Sequence, residues 1–401
     1  MTDSSAILIY RDQLLPYSET FIPAQAEQLR RYRGIYVGTS RLGTPPLPTD
    51  RQVILGELMQ PSAAWKTLYK LGGVVPGKWT RALRSHHPQL IHAHFGGDGG
   101  FAIPLAQRLK IPLVVTFHGY DATWAHPDRG LQWGDLLTQR GRFFRTLLLL
   151  KRTATFAAAT RIIAVSEFIR DCLIELDCPA DKISVHYIGI DTDRFRPDPA
   201  VVREPVVLFV GRLTEKKGCE YLIRAMATVQ QSQPQARLVV IGDGPLRSQL
   251  EALAQSSFTD ATFLGVQSPD EVRNWMNRAY CLCGPSITAA SGDAEGLGMV
   301  FAEAQAMGLP VVAFASGGIP EVVQHDKTGL LVPEKDLGKL TNAILTLFRH
   351  PQQRVAYAEA GIQHIHRCFS LQQNTLQLEA LYDQAIRQYN DSSTYSARHF
   401  A

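Results

Sequence analysis

The sequence predicts an α/β protein built from two doubly wound parallel sheets. Three observations carry that class. The chain has 401 residues, too many for one compact core and enough for two domains of roughly 150–200 residues each. Short apolar, β-branched runs recur from end to end and are continuous rather than alternating, as in strands covered on both faces. Longer helical patterns separate these runs, the alternation that gives an open sheet with helices on each side.

The strand-like runs of the first half are Ala6–Tyr10, Gly34–Gly38, Leu90–His94, Leu113–Phe117, Arg161–Val165 and Ile183–Ile188. Those of the second half are Val206–Val210, Arg237–Ile241, Ala261–Leu264, Tyr280–Gly284 and Pro310–Phe314. Helical patterns fall between them, for example at Pro23–Tyr32, Glu220–Gln231 and Val300–Met307. Three prolines and several charges interrupt the periodicity over Asp191–Pro205, and a strand pattern follows at once. This reads as a linker. We therefore divide the chain into an N-terminal domain 1–197, a second domain 198–375, and a C-terminal helix and tail 376–401. The stretch 370–401 reads as helix up to about Tyr389 before the sequence turns polar.

Composition excludes several classes. With 45% hydrophobic residues the chain is globular rather than disordered. Its 41 Lys and Arg against 37 Asp and Glu, a net +4, are too modest and dispersed for a nucleic-acid site. The excess is uneven: residues 1–200 hold 24 basic and 18 acidic side chains, residues 201–401 hold 17 and 19. The six cysteines form no C-x-x-C pair and read as reduced thiols of a cytosolic protein. Apolar runs such as Leu147–Leu150 fall far short of the roughly 18–20 residues that span a bilayer. The start Met-Thr-Asp-Ser-Ser shows no export signal, so the expected location is the cytoplasm.

Ligands of doubly wound domains sit beyond the carboxyl ends of the strands, here expected in the cleft between the halves. After Val206–Val210 comes Gly211-Arg212-Leu213-Thr214-Glu215-Lys216-Lys217-Gly218. Two glycines bracket cations at a strand-to-helix turn. Gly211 allows close backbone approach, the following helix start favours anions, and Arg212 with a lysine can grip phosphate oxygens. A solvated basic turn is the alternative. Further on, Glu295-Gly296-Leu297-Gly298-Met299-Val300 leads into a helix carrying Glu303. Free amides of its first turn suit an anion or a sugar hydroxyl, and a carboxylate can accept both hydrogen bonds of a vicinal diol. On the other half, His118 ends the strand Leu113–Phe117, and His92-Ala93-His94 ends another, followed by Phe95-Gly96-Gly97-Asp98. An H-x-H pair on a strand puts both imidazoles on one face, which makes zinc conceivable, yet no third ligand is suitably spaced. We expect no metal. His94, Gly96 and Gly97 read instead as shaping an acceptor pocket.

The segments "GRLTEKKG" and "EGLGMVFAEAQAMGLPVVAFASGGIPE" resemble the family-4 retaining glycosyltransferases, which have the GT-B fold. The resemblance extends through "VSEFIRDCLIE", "DKISVHYIGIDTDRF", "VVIGDGPLRSQLEALA" and "HDKTGLLVP", and spans roughly residues 90–335. It implies two Rossmann-like domains facing across a cleft and a hexose donor that is a nucleotide-diphosphate sugar. By this resemblance, Arg212 and Lys217 hold the donor diphosphate, with Gly211, Gly242 and Gly244 beside them. Lys217 is chosen over Lys216 because it directly precedes Gly218. Glu295 contacts the donor sugar together with the backbone of Gly296, Leu297, Gly298, Met299 and Val300, and Glu303 takes the ribose. His118 reaches the donor sugar. The catalytic set is thus His118, Arg212, Lys217 and Glu295.

Two departures stand out. Many members of that family carry a Gly-Gly loop after the first strand, whereas here Leu14-Leu15-Pro16-Tyr17-Ser18-Glu19-Thr20-Phe21 follows. Amides of Ser18, Glu19 and Thr20 are expected to serve in its place. Ile188 stands where the usual asparagine precedes Gly189. No cofactor is implied, and because cations already meet the diphosphate, transfer is expected to need no divalent metal. The expected acceptor is a saccharide or lipid-linked saccharide of surface or exopolysaccharide assembly. Segments Trp65–Arg84 and Gln139–Arg152 mix cations with aromatic and aliphatic residues, so peripheral attachment to an anionic membrane surface is a further expectation. A sugar-nucleotide epimerase or hydrolase, and a non-catalytic nucleotide-sugar-binding protein, are the rival readings. A dehydrogenase is excluded by the absence of G-x-G-x-x-G in the first βα turn.

Overall fold

The computed structural model describes residues 5–16, 19–42, 47–123, 150–257 and 259–399. Among them the chain forms two units. One comprises 5–122, 150–189 and 371–399; the other comprises 190–370 together with Thr123.

The first unit is built on β1 (Ser5–Tyr10), β3 (Tyr32–Gly38), β5 (Gln52–Ile54), β6 (Pro88–His94), β7 (Leu113–Phe117), β8 (Arg161–Ala164) and β9 (Ile183–Val185). They pair in parallel in the order β5-β3-β1-β6-β7-β8-β9. Two short strands, β2 (Gln13–Leu14) and β4 (Ser40–Arg41), form a separate parallel pair. Ile7, Leu8, Ile91, Val114 and Ile162 are fully buried, so a continuous apolar run here means a strand covered on both sides.

The helix Leu371–His399 belongs to this first unit. Its Leu378, Tyr382 and Ala385 pack with Ile7, Ile9 and Leu90. The fully buried Glu379 carboxylate accepts from the backbone amides of Arg30 and Arg31 at 2.8 and 2.7 Å. The C-terminal helix therefore starts at Leu371, within the segment expected to be the second domain, and it runs to His399 rather than ending near Tyr389.

The second unit holds β10 (Val206–Val210), β11 (Arg237–Ile241), β12 (Ala261–Gly265), β13 (Cys281–Gly284), β14 (Val311–Phe314) and β15 (Gly329–Val332). All pair in parallel in the order β12-β11-β10-β13-β14-β15. This is the doubly wound order with its reversal between β10 and β13. Helix starts follow from capping. Ser268 accepts from the Glu271 amide ahead of the helix Pro269–Arg278, and Asp336 accepts from the Lys339 amide ahead of Leu337–Arg349.

The division falls at Gly189/Ile190, earlier than the expected 197, because residues 191–205 are tied to the second unit. Asp198 donates its amide to Asn277. The partly buried Arg203 guanidinium donates to the carbonyls of Met276, Ala279, Met307 and Gly308, binding the ends of two helices together. The strand predicted at 183–188 is shorter, Ile183–Val185. The helix predicted at 23–32 is Phe21–Glu27, and β3 already begins at Tyr32. No helix among the described residues is long and apolar enough to cross a membrane.

Candidate functional site

In the second unit the order reversal lies between β10 and β13, so the turns that leave these strands form the crevice of the sheet. After β10 the chain makes a 3-10 turn at Glu215–Lys217 and enters the helix Cys219–Ser232. Gly218, at φ 61°, is the pivot: a Cβ there would lie 1.9 Å from the Pro285 carbonyl, a position closed to any side chain. Gly242 and Gly244 let the turn after β11 press on this one, since their Cβ atoms would meet the carbonyls of Gly211 and Leu213 at 1.9 and 2.4 Å. Packing alone therefore requires these two glycines. A Cβ on Gly211 would meet only ordinary contacts at 3.6 Å.

Arg212 is exposed; its carbonyl accepts from the Thr214 amide at 2.9 Å, while its guanidinium has no hydrogen bond or ion pair among the described residues. Lys217 lies 2.6 Å from Glu295 Oε2. Glu295 is 8% exposed and also accepts from Ser286 Oγ at 3.5 Å. Burial pushes its carboxyl up, but Lys217 and Lys216 outweigh that and hold it below the usual range. Gly298, at φ 87°, turns the chain into the helix Met299–Ala306, and a Cβ there would collide with the Phe301 ring at 2.5 Å. Leu297 is buried, while Met299 and Val300 are half-buried in the turn where backbone amides lack intrahelical acceptors. Glu303 follows one turn on. Burial pushes its carboxyl up to about 7, with Arg194 opposing.

In the first unit the order reverses between β1 and β6, and here charged side chains occupy the turn. Arg11 donates to both oxygens of Glu19 at 2.9 and 2.8 Å and to Asp98 at 2.5 Å, and its guanidinium lies 4.4 Å over the Phe95 ring. Asp98 also accepts from the Asp12 amide at 2.7 Å. Burial raises its carboxyl to about 6 against the pull of Arg11. Lys70 pairs with Asp12. Of the amides expected to replace a Gly-Gly loop, that of Glu19 is already engaged. The Glu19 amide donates to the Pro16 carbonyl and its carboxylate belongs to Arg11, Thr20 is the exposed residue preceding the helix Phe21–Glu27, and Ser18 lies outside the described residues.

His118 and His94 do come together, His94 Nδ1 lying 3.1 Å from His118 Nε2 with the rings stacked at 5.3 Å. His92 is tied through Nδ1 to Tyr382 Oη at 2.6 Å and through Nε2 to Thr116 Oγ1 at 2.7 Å. Burial drives His92 down to about 3 and leaves His94 and His118 well below the ordinary value, so all three rings are neutral near pH 7. His118 Nδ1 is buried without a partner among the described residues. His94 is 2% exposed, so it backs His118 rather than lining an open pocket. Gly96 is required by the Phe117 ring, 2.2 Å from its would-be Cβ, and Gly97 is half-buried in the first turn of the helix Gly96–Leu109. Among the described residues no group of three or more His, Cys, Asp or Glu could hold a metal ion.

Sequence reading missed Asp121. Its carboxylate accepts from the amides of Gly96, His118 and Gly119 at 2.8, 3.0 and 3.0 Å, so it joins the ends of β6 and β7. The signal was present as the acidic residue three positions after His118. Of the segments expected at a membrane, residues 139–149 of Gln139–Arg152 lie outside the described residues. In Trp65–Arg84, Trp79 is fully buried, while Leu68, Leu71 and Val74 are 47%, 59% and 45% exposed.

Comparison with known proteins agrees with this division. Residues 19–194 match the model described as Glycosyltransferase Family 4, and residues 191–364 match Glycosyl transferases group 1. The chain is 33% identical over 261 residues to an amylovoran biosynthesis glycosyltransferase, AmsK, of Erwinia amylovora, covering 63% of this chain. It spans 60% of the length of that relative. It is 31% identical over 286 residues to a GDP-mannose-dependent alpha-(1-6)-phosphatidylinositol monomannoside mannosyltransferase of Mycolicibacterium smegmatis, covering 67% of this chain and 69% of that one. Among solved structures, Anabaena Alr3699/HepE in complex with UDP and glucose superposes with a TM-score of 0.71 at 19% identity, over 95% of this chain and 100% of that chain. That likeness shows the fold, which is GT-B. With matching family models on both halves and a relative above 30% identity over two thirds of its length, the chain belongs to the family-4 glycosyltransferases.

Proposed function

We propose that this chain is a retaining glycosyltransferase that moves a hexose from a nucleotide-diphosphate sugar to a saccharide or lipid-linked saccharide acceptor in surface or exopolysaccharide biosynthesis. The observation that carries the reading is in the second unit: an exposed Arg212 and a Lys217–Glu295 pair at 2.6 Å, on the turns leaving the two strands where the sheet order reverses. Relatives named for amylovoran biosynthesis and for GDP-mannose-dependent transfer support the class, as does a neighbour solved with UDP and glucose.

In this reading Arg212 and Lys217 hold the donor diphosphate and neutralise the charge that develops as it leaves, electrostatic stabilisation of the kind that dominates many catalysed barriers. Glu295 and the first-turn backbone of Met299–Ala306 take the sugar, and Glu303 accepts from the ribose hydroxyls. His118 Nδ1 meets a sugar hydroxyl. The acceptor oxygen bonds to the anomeric carbon on the face from which the phosphate departs, the carbon–oxygen bond to phosphate breaks, and the acceptor proton passes to the departing diphosphate. Two side-chain cations and a helix start supply the positive charge, so we propose that no divalent metal is needed.

Thermal-shift measurement with UDP-sugars and GDP-sugars tests this. A ligand at 100-fold its Kd stabilises the fold by about 2.7 kcal/mol, and one nucleotide series is expected to do so. Arg212→Ala should lose the shift and roughly 10²–10³ in turnover. An Arg212→Ala variant with full activity contradicts the assignment.

We also propose that the protein works in the cytoplasm at the inner membrane face. Within the segment Trp65–Arg84, Leu68, Leu71 and Val74 are exposed, as are Lys78, Arg81 and Arg84, a composition that suits anionic lipid. Co-sedimentation with anionic but not neutral vesicles, weakened in Leu71→Glu, is the expected result. Equal binding to both vesicle types counts against it.

A further inference from the structure

Two adjacent lysines sit in the cationic turn, and they are used differently. Lys217 faces Glu295. Lys216 turns to the loop that delivers Glu295: its Nζ donates to Asp293 Oδ1 at 3.0 Å and reaches the Ala294 carbonyl at 3.5 Å. Its own carbonyl accepts from the Ile287 amide at 2.8 Å, so the residue grips both ends of the segment after β13. Within that segment Ala289 donates to the Asp293 carbonyl at 2.9 Å and Gly292 donates to that of Ala289 at 2.9 Å, closing a tight turn that ends two residues before Glu295. Lys216 and Asp293 side chains are 19% and 21% exposed, buried enough for the pair to escape much of the screening that weakens surface ion pairs. Glu295 itself is fixed from behind, since the Gly318 amide donates to its carbonyl at 2.9 Å.

We infer that Lys216, through its ion pair with Asp293, is a positioning residue that sets the Glu295 carboxylate for the donor sugar, while Lys217 and Arg212 deal with the diphosphate. This rests on the nucleotide-sugar reading above and assigns to the neighbouring lysine a part distinct from phosphate binding. Its consequence is selective. Loss of Lys216 leaves the phosphate cations in place and loosens only the group that addresses the sugar. Discrimination between a nucleotide sugar and its bare nucleoside diphosphate is therefore what should change.

The experiment measures Kd for UDP, UDP-glucose, GDP and GDP-mannose by titration calorimetry on the full chain and on Lys216→Met, Lys216→Arg, Asp293→Asn and the double variant Lys216→Met/Asp293→Asn. For whichever series the unaltered protein binds, Lys216→Met should weaken the nucleotide sugar about tenfold and change the nucleoside diphosphate less than twofold. Lys216→Arg should recover most of that loss. The double variant should be no worse than either single one, because both remove the same pair. Equal weakening of both ligands, no weakening of either, or additive losses in the double variant overturns the inference. If the unaltered chain binds neither series, the functional reading itself fails and this inference falls with it; binding of the diphosphates without the sugars by the unaltered chain overturns only the role given to Glu295 and Lys216.

Discussion

The two units share one topology and fill its switch point in opposite ways. In the second, glycines clear the turns and the cation Arg212 is left exposed and unengaged among the described residues. In the first, Arg11 occupies the equivalent turn after β1, but Glu19 and Asp98 hold it from both sides and Asp12 takes Lys70. A phosphate gains little from a guanidinium already matched by two carboxylates, whereas an unmatched one offers its full charge-assisted hydrogen bonds. The same fold thus offers an anion one unmatched cation, Arg212, in the second unit and a cross-tied shelf in the first, where Arg11 and Lys70 meet three carboxylates. This is why we assign the donor diphosphate to the second unit.

The largest test of that contrast is to remove each arginine. Arg11→Met strands two largely buried carboxylates, and stability should fall by about 3–5 kcal/mol. Arg212→Ala removes an exposed side chain, and stability should stay within about 0.5 kcal/mol although turnover collapses. Urea unfolding monitored by circular dichroism measures both. If Arg11→Met were as stable as the unaltered chain, the shelf would not be a structural network. If Arg212→Ala unfolded readily, Arg212 would be holding the turn and not a ligand.

The contrast also explains what the sequence disclosed. The second unit was legible because its signals are local. Glycines at fixed offsets, adjacent cations and an E-x7-E spacing all lie within short stretches, and strand runs such as Val206–Val210 and Val311–Phe314 are apolar throughout. The first unit's site depends on pairs far apart in the chain. Arg11 meets Asp98, and His92 meets Tyr382, encounters that no spacing rule contains. Nor does any spacing rule show that the Glu19 carboxylate is held by Arg11. Asp121 was overlooked because its partners are backbone amides, which look alike in every sequence. The division at 189/190 was misplaced because Arg203 makes a proline-rich, charged stretch an integral strap rather than a free linker.

The last and smallest effect concerns pH, and again the units should differ. His94 and His118 have values driven well below the ordinary one by burial, so both rings stay neutral at pH 7. Replacing His118 by Asn should lower turnover by about tenfold, the size of one lost neutral hydrogen bond, without changing the shape of the pH profile. Glu303 behaves otherwise. With its carboxyl at about 7, it gains a proton as pH falls through neutrality, and in its proposed role it would then lose an acceptor for the ribose hydroxyls. Donor affinity should therefore fall by up to about tenfold from pH 8 to pH 6, and Glu303→Gln should flatten that slope. Stability runs in the opposite direction. A carboxyl titrating near 4.5 in the unfolded chain and near 7 in the folded one favours folding at acid pH, and that contribution disappears as pH rises through 7. Glu303→Gln should thus be more stable relative to the unaltered chain at pH 8 than at pH 5. Nucleotide titrations and thermal unfolding across this range read both slopes. If affinity and stability moved with pH in the same sense, Glu303 would not be the titrating group. A pH profile reshaped by His118→Asn would instead place the titration in the first unit.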